Sequence, residues 1–92
     1  MARQHPGETW ASFLMEEIIY TLVEKSEDED ISTILENYIF KIFPMINVDG
    51  VIYGNSRCDI GGFDMNRNWK NPSKILHPQI VSIKEEIIKL SL

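Results

Sequence analysis

A histidine and a glutamate lie three residues apart near the start of the chain, in the stretch His5-Pro6-Gly7-Glu8. Imidazole nitrogens and carboxylate oxygens both bind zinc, and a hydrolytic zinc site takes three protein ligands and leaves one position for water. In a turn that runs into a helix, residues at this spacing can converge on one point. Such short spacings arise by chance, so on this stretch alone the preferred explanation is a carboxylate near the positive end of a helix.

A second set of polar groups lies in the glycine-rich stretch 54–69, GNSRCDIGGFDMNRNW. Arg57 and Arg67 carry planar guanidinium groups that match carboxylates, and Asn66 adds an amide donor beside Arg67. An arginine near a zinc ion would stabilise an oxyanion, and an Asn-Arg pair would bind the free carboxylate of a peptide. The alternative is a polar surface loop with Trp69 packed beneath it.

The hydrophobic pattern predicts the elements that must position these residues. Apolar side chains recur at helical spacing in three places, while the run YIFKIFPM is typical of a strand buried on both faces. The predicted elements are a helix over 8–24, a short helix around 31–35, strands over 38–45 and more weakly 51–53, a loop over 53–75 and a helix from Pro78.

A strand that is buried on both faces needs neighbouring strands to bind its backbone N–H and C=O groups. One strong strand and one weak strand are too few for a stable sheet. We therefore expect an α/β fold that is truncated at both ends. In this interpretation the helices cover a sheet whose other strands lie outside these 92 residues.

Length and composition limit the size of the domain, its partners and its compartment. Ninety-two residues allow at most one small domain. The formal net charge of -5 argues against binding to nucleic acid or to anionic membranes, and no apolar run approaches the roughly 20 residues of a membrane span. The single cysteine, Cys58, excludes an internal disulfide and fits a reducing compartment. These features together favour a cytoplasmic protein.

Five ordered stretches resemble the M14 zinc metallocarboxypeptidases, specifically the cytosolic carboxypeptidase subfamily. They are ARQHPGET, KIFPMINVDGV, YGNSRC, GFDMNRNW and NPSKILHP. The resemblance implies that His5 and Glu8 bind Zn²⁺ and that Arg57 is the catalytic arginine that stabilises the oxyanion. It implies that Asn66 and Arg67 bind the terminal carboxylate of the substrate. It also implies a partial carboxypeptidase-like domain with a mixed sheet flanked by helices.

Two parts of the family's site have no counterpart in these 92 residues. They are the third zinc ligand, a histidine further along the chain, and the glutamate that acts as general base. The other histidine here is His77, and the family has a similar histidine at that place that is not a ligand. No spacing selects Asp64, Glu16 or Glu17 as a replacement base. We expect residues 1–92 to be the front portion of a catalytic domain, incomplete and inactive by itself.

Two functional hypotheses follow. In the first, the complete protein is a zinc carboxypeptidase in which zinc-bound water attacks the last peptide bond and a glutamate outside this chain takes the proton. The subfamily removes glutamates from acidic protein tails such as those of tubulin, which makes such a C-terminus the expected partner. In the second, the chain is a degenerate or truncated paralogue that serves as a non-catalytic interaction module. A histidine and a glutamate in the flanking sequence would favour the first hypothesis, and a natural stop after Leu92 would favour the second.

Overall fold

The structure, a computed structural model, describes residues 1–91 as helices joined by loops. The α-helices are α1 (Trp10–Glu24), α2 (Glu29–Asn37), α3 (Val48–Tyr53) and α4 (Pro78–Leu90), and a 3-10 turn spans Met65–Arg67. No strand occurs among residues 1–91. The expected α/β fold, with a mixed sheet flanked by helices, is therefore wrong for the described part of the chain.

The segment 38–45 shows why the sheet prediction failed. β-Branched and aromatic residues favour strands mainly because they pack against neighbours across a sheet. Here Tyr38 and Ile39 are 67% and 93% exposed, so the start of the segment lacks such neighbours among the described residues. Near its end, the Ala2 N–H donates to the Phe43 carbonyl at 2.9 Å. The Ile46 N–H donates back to the Ala2 carbonyl at 3.1 Å. These hydrogen bonds do not extend into a ladder, and the segment remains irregular.

The three predicted helices are confirmed. α1 begins two residues after the predicted start at Glu8 and ends at the predicted Glu24. α2 contains the short apolar pattern around 31–35, and α4 begins at Pro78, where the missing N–H costs no helical hydrogen bond. Among residues 1–91, none of the helices has both the length and the apolar character needed to cross a membrane.

The weak strand predicted for 51–53 is also wrong, because these residues belong to α3. The fully buried side chain of Asn47 begins this helix: its Oδ1 accepts from the Gly50 N–H at 3.0 Å, and its Nδ2 donates to the Gln4 carbonyl at 3.2 Å. A Cβ added to Gly50 would lie 2.5 Å from the Pro6 ring and from Asn47 Oδ1. Glycine therefore lets the residues around Pro6 pack directly on α3.

The hydrophobic core is small and excludes α1. Its members come from the segment before α3, the 3-10 turn and α4; they are Ile46, Met65, Ile80 and Ile83, with Phe43 and Trp69 packed against them. α1 has no buried residue, and its Trp10 and Phe13 are 67% and 70% exposed. The apolar side chains of α1 therefore lack cover among the described residues.

We expect the isolated 92-residue chain to self-associate or to unfold without a cooperative transition, because α1 exposes a large apolar surface. Sedimentation velocity at several concentrations and thermal melting by circular dichroism measure these properties. Phe13→Gln should reduce the association, whereas Glu27→Gln, in the exposed loop between α1 and α2, should leave it unchanged. A monomer with a sharp cooperative melt would contradict this expectation.

Candidate functional site

The two residues predicted to bind zinc meet in one tight turn, residues 5–8, which we call the His5–Glu8 turn. His5 Nδ1 and Glu8 Oε1 lie 3.1 Å apart. The Glu8 N–H donates to the His5 carbonyl at 3.2 Å, and the Thr9 N–H donates to the Gly7 carbonyl at 2.9 Å. The side chain of His5 is 11% exposed and that of Glu8 is 42% exposed. The pair thus offers two metal-binding atoms: the His5 nitrogen, which is buried, and the Glu8 oxygen, which faces solvent.

The geometry of this pair fits a shared zinc ion. Zinc binds imidazole nitrogen and carboxylate oxygen at about 2.0–2.2 Å, so two ligand atoms of a tetrahedral site lie ~3.4 Å apart. The observed separation of 3.1 Å is close to that value. Among residues 1–91, no group of three His, Cys, Asp or Glu side chains is arranged to hold a metal. The described residues therefore supply two fitting ligands.

His77 has a different environment. Its Nδ1 accepts from the Ser73 N–H at 3.0 Å, and its ring packs edge-on against Phe63 with the ring centroids 5.1 Å apart. The residue is 5% exposed. A histidine whose nitrogen lone pair is already occupied by a backbone donor cannot offer that atom to a metal. His77 packs α4 against the loop that precedes Asp64.

Asp64 connects the predicted site residues, and sequence reasoning missed this role. Its Oδ1 accepts from His5 Nε2 at 3.0 Å and from the Asn66 N–H at 2.8 Å. Its Oδ2 accepts from Arg57 Nε at 2.6 Å. One carboxylate thus contacts the predicted zinc ligand, the predicted oxyanion arginine and the backbone of the predicted substrate-binding pair. The spacing Asp-x-Asn, typical of a cap in front of a turn, was the one signal available in the sequence.

Both ring nitrogens of His5 lie beside a carboxylate: Nε2 is 3.0 Å from Asp64 Oδ1, and Nδ1 is 3.1 Å from Glu8 Oε1. Without a metal, each of these contacts is made by a ring N–H. A zinc ion bound by Nδ1 and Glu8 would take the place of the Nδ1 proton and leave the Nε2 N–H donating to Asp64. Histidines that bind metals commonly donate their other ring N–H to a carboxylate, which fixes the ring and raises the basicity of the ligand.

The Asp64 carboxylate stays ionised far below neutral pH. Partial burial raises its pKa, but the hydrogen bonds from Arg57, from His5 and from the Asn66 N–H outweigh this effect and lower the pKa from 3.8 to about 2. A general base works best with a pKa near the operating pH. Asp64 is therefore suited to orient its neighbours by accepting their hydrogen bonds, and it is unsuited to replace the general base.

A close backbone contact joins the His5–Glu8 turn to the loop of Arg57. The Gly7 N–H donates to the Ser56 carbonyl at 2.8 Å. A Cβ added to Gly7 would lie 2.7 Å from that carbonyl oxygen, closer than real Cβ atoms approach. Glycine is required here because the turn packs directly on the residue that precedes Arg57.

Asn66 and Arg67 lie on the 3-10 turn, just after Asp64. Both side chains are exposed, and Arg67 Nη1 donates to the Asn66 carbonyl at 3.2 Å. The side chain of Met65 between Asp64 and this pair is fully buried in the core. The turn thus anchors on the core through one residue and presents the predicted carboxylate-binding pair to solvent.

Comparison with known proteins assigns the chain to a family. Residues 1–82 match the family model of the M14 peptidases, the zinc carboxypeptidases. The chain is 49% identical over 83 residues to cytosolic carboxypeptidase 1 of Gallus gallus, an alignment that covers 90% of this chain and 7% of the relative. It is 47% identical over 88 residues to cytosolic carboxypeptidase 6 of Mus musculus, covering 96% of this chain and 16% of the relative.

A third relative has a similar level of sequence identity. Cytosolic carboxypeptidase 4 of Homo sapiens is 48% identical over 90 residues, which cover 98% of this chain and 8% of the relative. The chain belongs to the zinc carboxypeptidase family, as the resemblance implied. It is similar to cytosolic members of that family over most of its length, and it spans less than a fifth of these relatives.

We expect the isolated chain to bind zinc weakly, with a dissociation constant above about 1 µM, because two ligands do not close a zinc site. Isothermal titration calorimetry measures this affinity. His5→Ala should remove the binding, while His77→Ala should leave it unchanged. Submicromolar binding that is lost in His77→Ala would show that the wrong histidine was assigned.

In the full-length protein, Asp64→Asn should weaken zinc binding by roughly 10–100-fold, the usual effect of removing a partner that orients a metal ligand. Competition with a chelator measures the affinity. Since the pKa of Asp64 is lowered to about 2, its carboxylate is ionised throughout the neutral range. The comparison is made near pH 8, where protons compete least with zinc for a histidine ligand.

Glu86→Gln is the matched control for this variant. Hydrogen bonds from Lys41 and Lys89 lower the pKa of Glu86 from 4.5 to about 2, so it is another carboxylate held by two basic side chains. It lies on α4 and contacts neither His5 nor Arg57 among its hydrogen-bond partners. An equal loss of zinc affinity in both variants would contradict the role assigned to Asp64.

Proposed function

We propose that the protein is a zinc-dependent metallocarboxypeptidase that removes C-terminal residues, and that residues 1–92 form the front portion of its catalytic domain. The observation that carries this proposal is the Asp64 carboxylate, which holds His5 and Arg57 at 3.0 and 2.6 Å. A histidine ligand and an arginine fixed on one carboxylate are suited to hydrolysis with a developing oxyanion. Membership of the zinc carboxypeptidase family supports the same conclusion.

His5 Nδ1 and Glu8 Oε1 would hold the metal, and a third ligand and a glutamate base would come from residues outside this chain. Zinc, when bound, polarises the scissile carbonyl and lowers the pKa of a bound water. Arg57 donates to Asp64 through Nε, and its two terminal amino groups remain for another acceptor. Its side chain is 53% exposed, so a substrate carbonyl can reach it. The fixed cation would stabilise the oxyanion without reorganising during the reaction.

Asn66 and Arg67 would select substrates with a free C-terminus. Both side chains are exposed on the 3-10 turn, where a carboxylate can approach them from solvent. A guanidinium fork and an amide donor together match the two oxygens of a carboxylate. Binding the terminal carboxylate beside the scissile bond would restrict cleavage to the last residue.

We propose that the substrates are protein C-termini in the cytoplasm, including glutamates of acidic tails such as those of tubulin. The names of the relatives, cytosolic carboxypeptidases, support the compartment and the reaction. A net charge of -5 gives this segment no general attraction for an acidic tail, for nucleic acid or for anionic membranes. Selection of the glutamate side chain would therefore come from residues outside this chain.

Kinetics of the full-length enzyme should separate the two arginines. Arg57→Ala should lower kcat by roughly 10²–10³-fold with a smaller change in KM, because the oxyanion is charged only in the transition state. Arg67→Ala should raise KM more than it lowers kcat, because the terminal carboxylate is charged throughout. Arg67→Ala should also weaken the preference for a free over an amidated C-terminus, and Arg67→Lys should not fully rescue it.

His5→Ala, which removes a metal ligand, provides the inactive baseline for these measurements. If Arg57→Ala abolishes discrimination against amidated substrates while Arg67→Ala preserves it, the two roles are reversed. A full-length protein that binds zinc and hydrolyses no C-terminal residue would instead favour the non-catalytic interaction module.

A further inference from the structure

Arg3 has an unusual backbone conformation two residues before the predicted zinc ligand His5. Among residues 1–91 it is the one non-glycine residue with positive φ, at 52°. A residue with a Cβ adopts this region at a cost, and it stays there when its surroundings hold it. The Asn47 N–H donates to the Arg3 carbonyl at 3.0 Å. The first residues of the chain are hydrogen-bonded to the segment that precedes α3. Arg3 therefore marks the place where they bend away from that segment into the His5–Glu8 turn.

The side chain of Arg3 binds the turn itself. Its Nε and Nη2 both donate to the Pro6 carbonyl, at 3.0 and 2.6 Å, and its Nη1 donates to Ser12 Oγ at 2.8 Å. The backbone hydrogen bonds of the turn use the carbonyls of His5 and Gly7. Pro6 is a buried residue and its hydrogen bonds to Arg3 are partly buried, so loss of the guanidinium would deprive its carbonyl of two charged donors.

This arrangement fixes the peptide that lies between the two metal-binding side chains. The Pro6 carbonyl sits in the chain between His5 and Glu8, and Ser12 lies in the first turn of α1. Rotation of the Pro6–Gly7 peptide would move the Glu8 carboxylate relative to His5 Nδ1. The planar guanidinium of Arg3 binds the Pro6 carbonyl and Ser12 of α1 at the same time, and so opposes that rotation. A lysine, which has one point charge, cannot reproduce both contacts.

We propose that Arg3 is a positioning residue for the metal pair: by binding the Pro6 carbonyl and Ser12 it keeps His5 Nδ1 and Glu8 Oε1 at the separation that zinc requires. Arg3 has no hydrogen bond to His5 Nδ1 or to Glu8 Oε1, so it acts through the peptide between them. The inference rests on the proposed function in one respect, namely that His5 and Glu8 bind zinc.

The test uses the full-length protein loaded with zinc or with cobalt. Arg3→Asn is the main variant, because asparagine tolerates positive φ and is too short to reach the Pro6 carbonyl. Chelator competition should show a roughly 10–100-fold loss of zinc affinity, and the visible spectrum of the cobalt form, which reports ligand geometry, should shift. Arg3→Lys should recover part of the affinity. Thermal unfolding of the metal-free protein is measured for each variant.

Lys84→Met is the matched control. Lys84 Nζ also donates to backbone carbonyls, those of Trp69 and Lys70 at 2.8 and 3.4 Å, and it has no hydrogen bond to the His5–Glu8 turn. Its removal should change thermal stability and leave the cobalt spectrum unchanged. Wild-type zinc affinity in Arg3→Asn, or equal losses in Arg3→Asn and Lys84→Met, would overturn the inference while the proposed function stands. A wild-type protein that binds no zinc would overturn both.

Discussion

The Asp64 carboxylate is the acceptor on which the candidate site depends. It joins the His5–Glu8 turn to a loop 59 residues further along the chain, and it accepts three hydrogen bonds, from His5, Arg57 and the Asn66 N–H. Its side chain is 17% exposed, so the charge requires such donors to be stable there. Each donor in turn has its orientation fixed. A positive guanidinium and an imidazole N–H can lie side by side here because the negative charge lies between them.

Close backbone contacts support this arrangement more than the hydrophobic core does. Gly7 packs on the Ser56 carbonyl, and Gly50 packs on Pro6 and Asn47 at distances that no side chain could share. These contacts place the His5–Glu8 turn against both α3 and the loop of Arg57. The site is therefore well defined although α1 has no buried residue. The exposed apolar face of α1 and the two zinc ligands supplied by the described residues both agree with the proposal that this chain is one part of a larger catalytic domain.

The sequence predicts several site residues because their chemistry is local. His5 and Glu8 lie in one turn, and Asn66 and Arg67 are adjacent, so spacing and family resemblance suggest them without any knowledge of the fold. The structure shows where these residues lie, and their roles in binding zinc and substrate stay predictions. Asp64 and Arg3 were not assigned a role. An aspartate two residues before Asn66 fits a local cap, which Asp64 also provides. The contact of Asp64 with His5 requires two distant segments to meet. The contact of Arg3 with Pro6 requires the bend of the backbone at Arg3.

The sequence by itself determined α1, α2 and α4, because apolar spacing and a proline at the first helical position act within a few residues. It also determined the family, through motifs in a fixed order. Tertiary structure decided the rest. The apolar segment 38–45 is not a strand because its β preference needs neighbours that residues 1–91 do not provide. Residues 51–53 are helical because buried Asn47 caps α3 and binds Gln4. The meeting of His5, Arg57 and Asp64 likewise depends on long-range contacts, which no local pattern encodes.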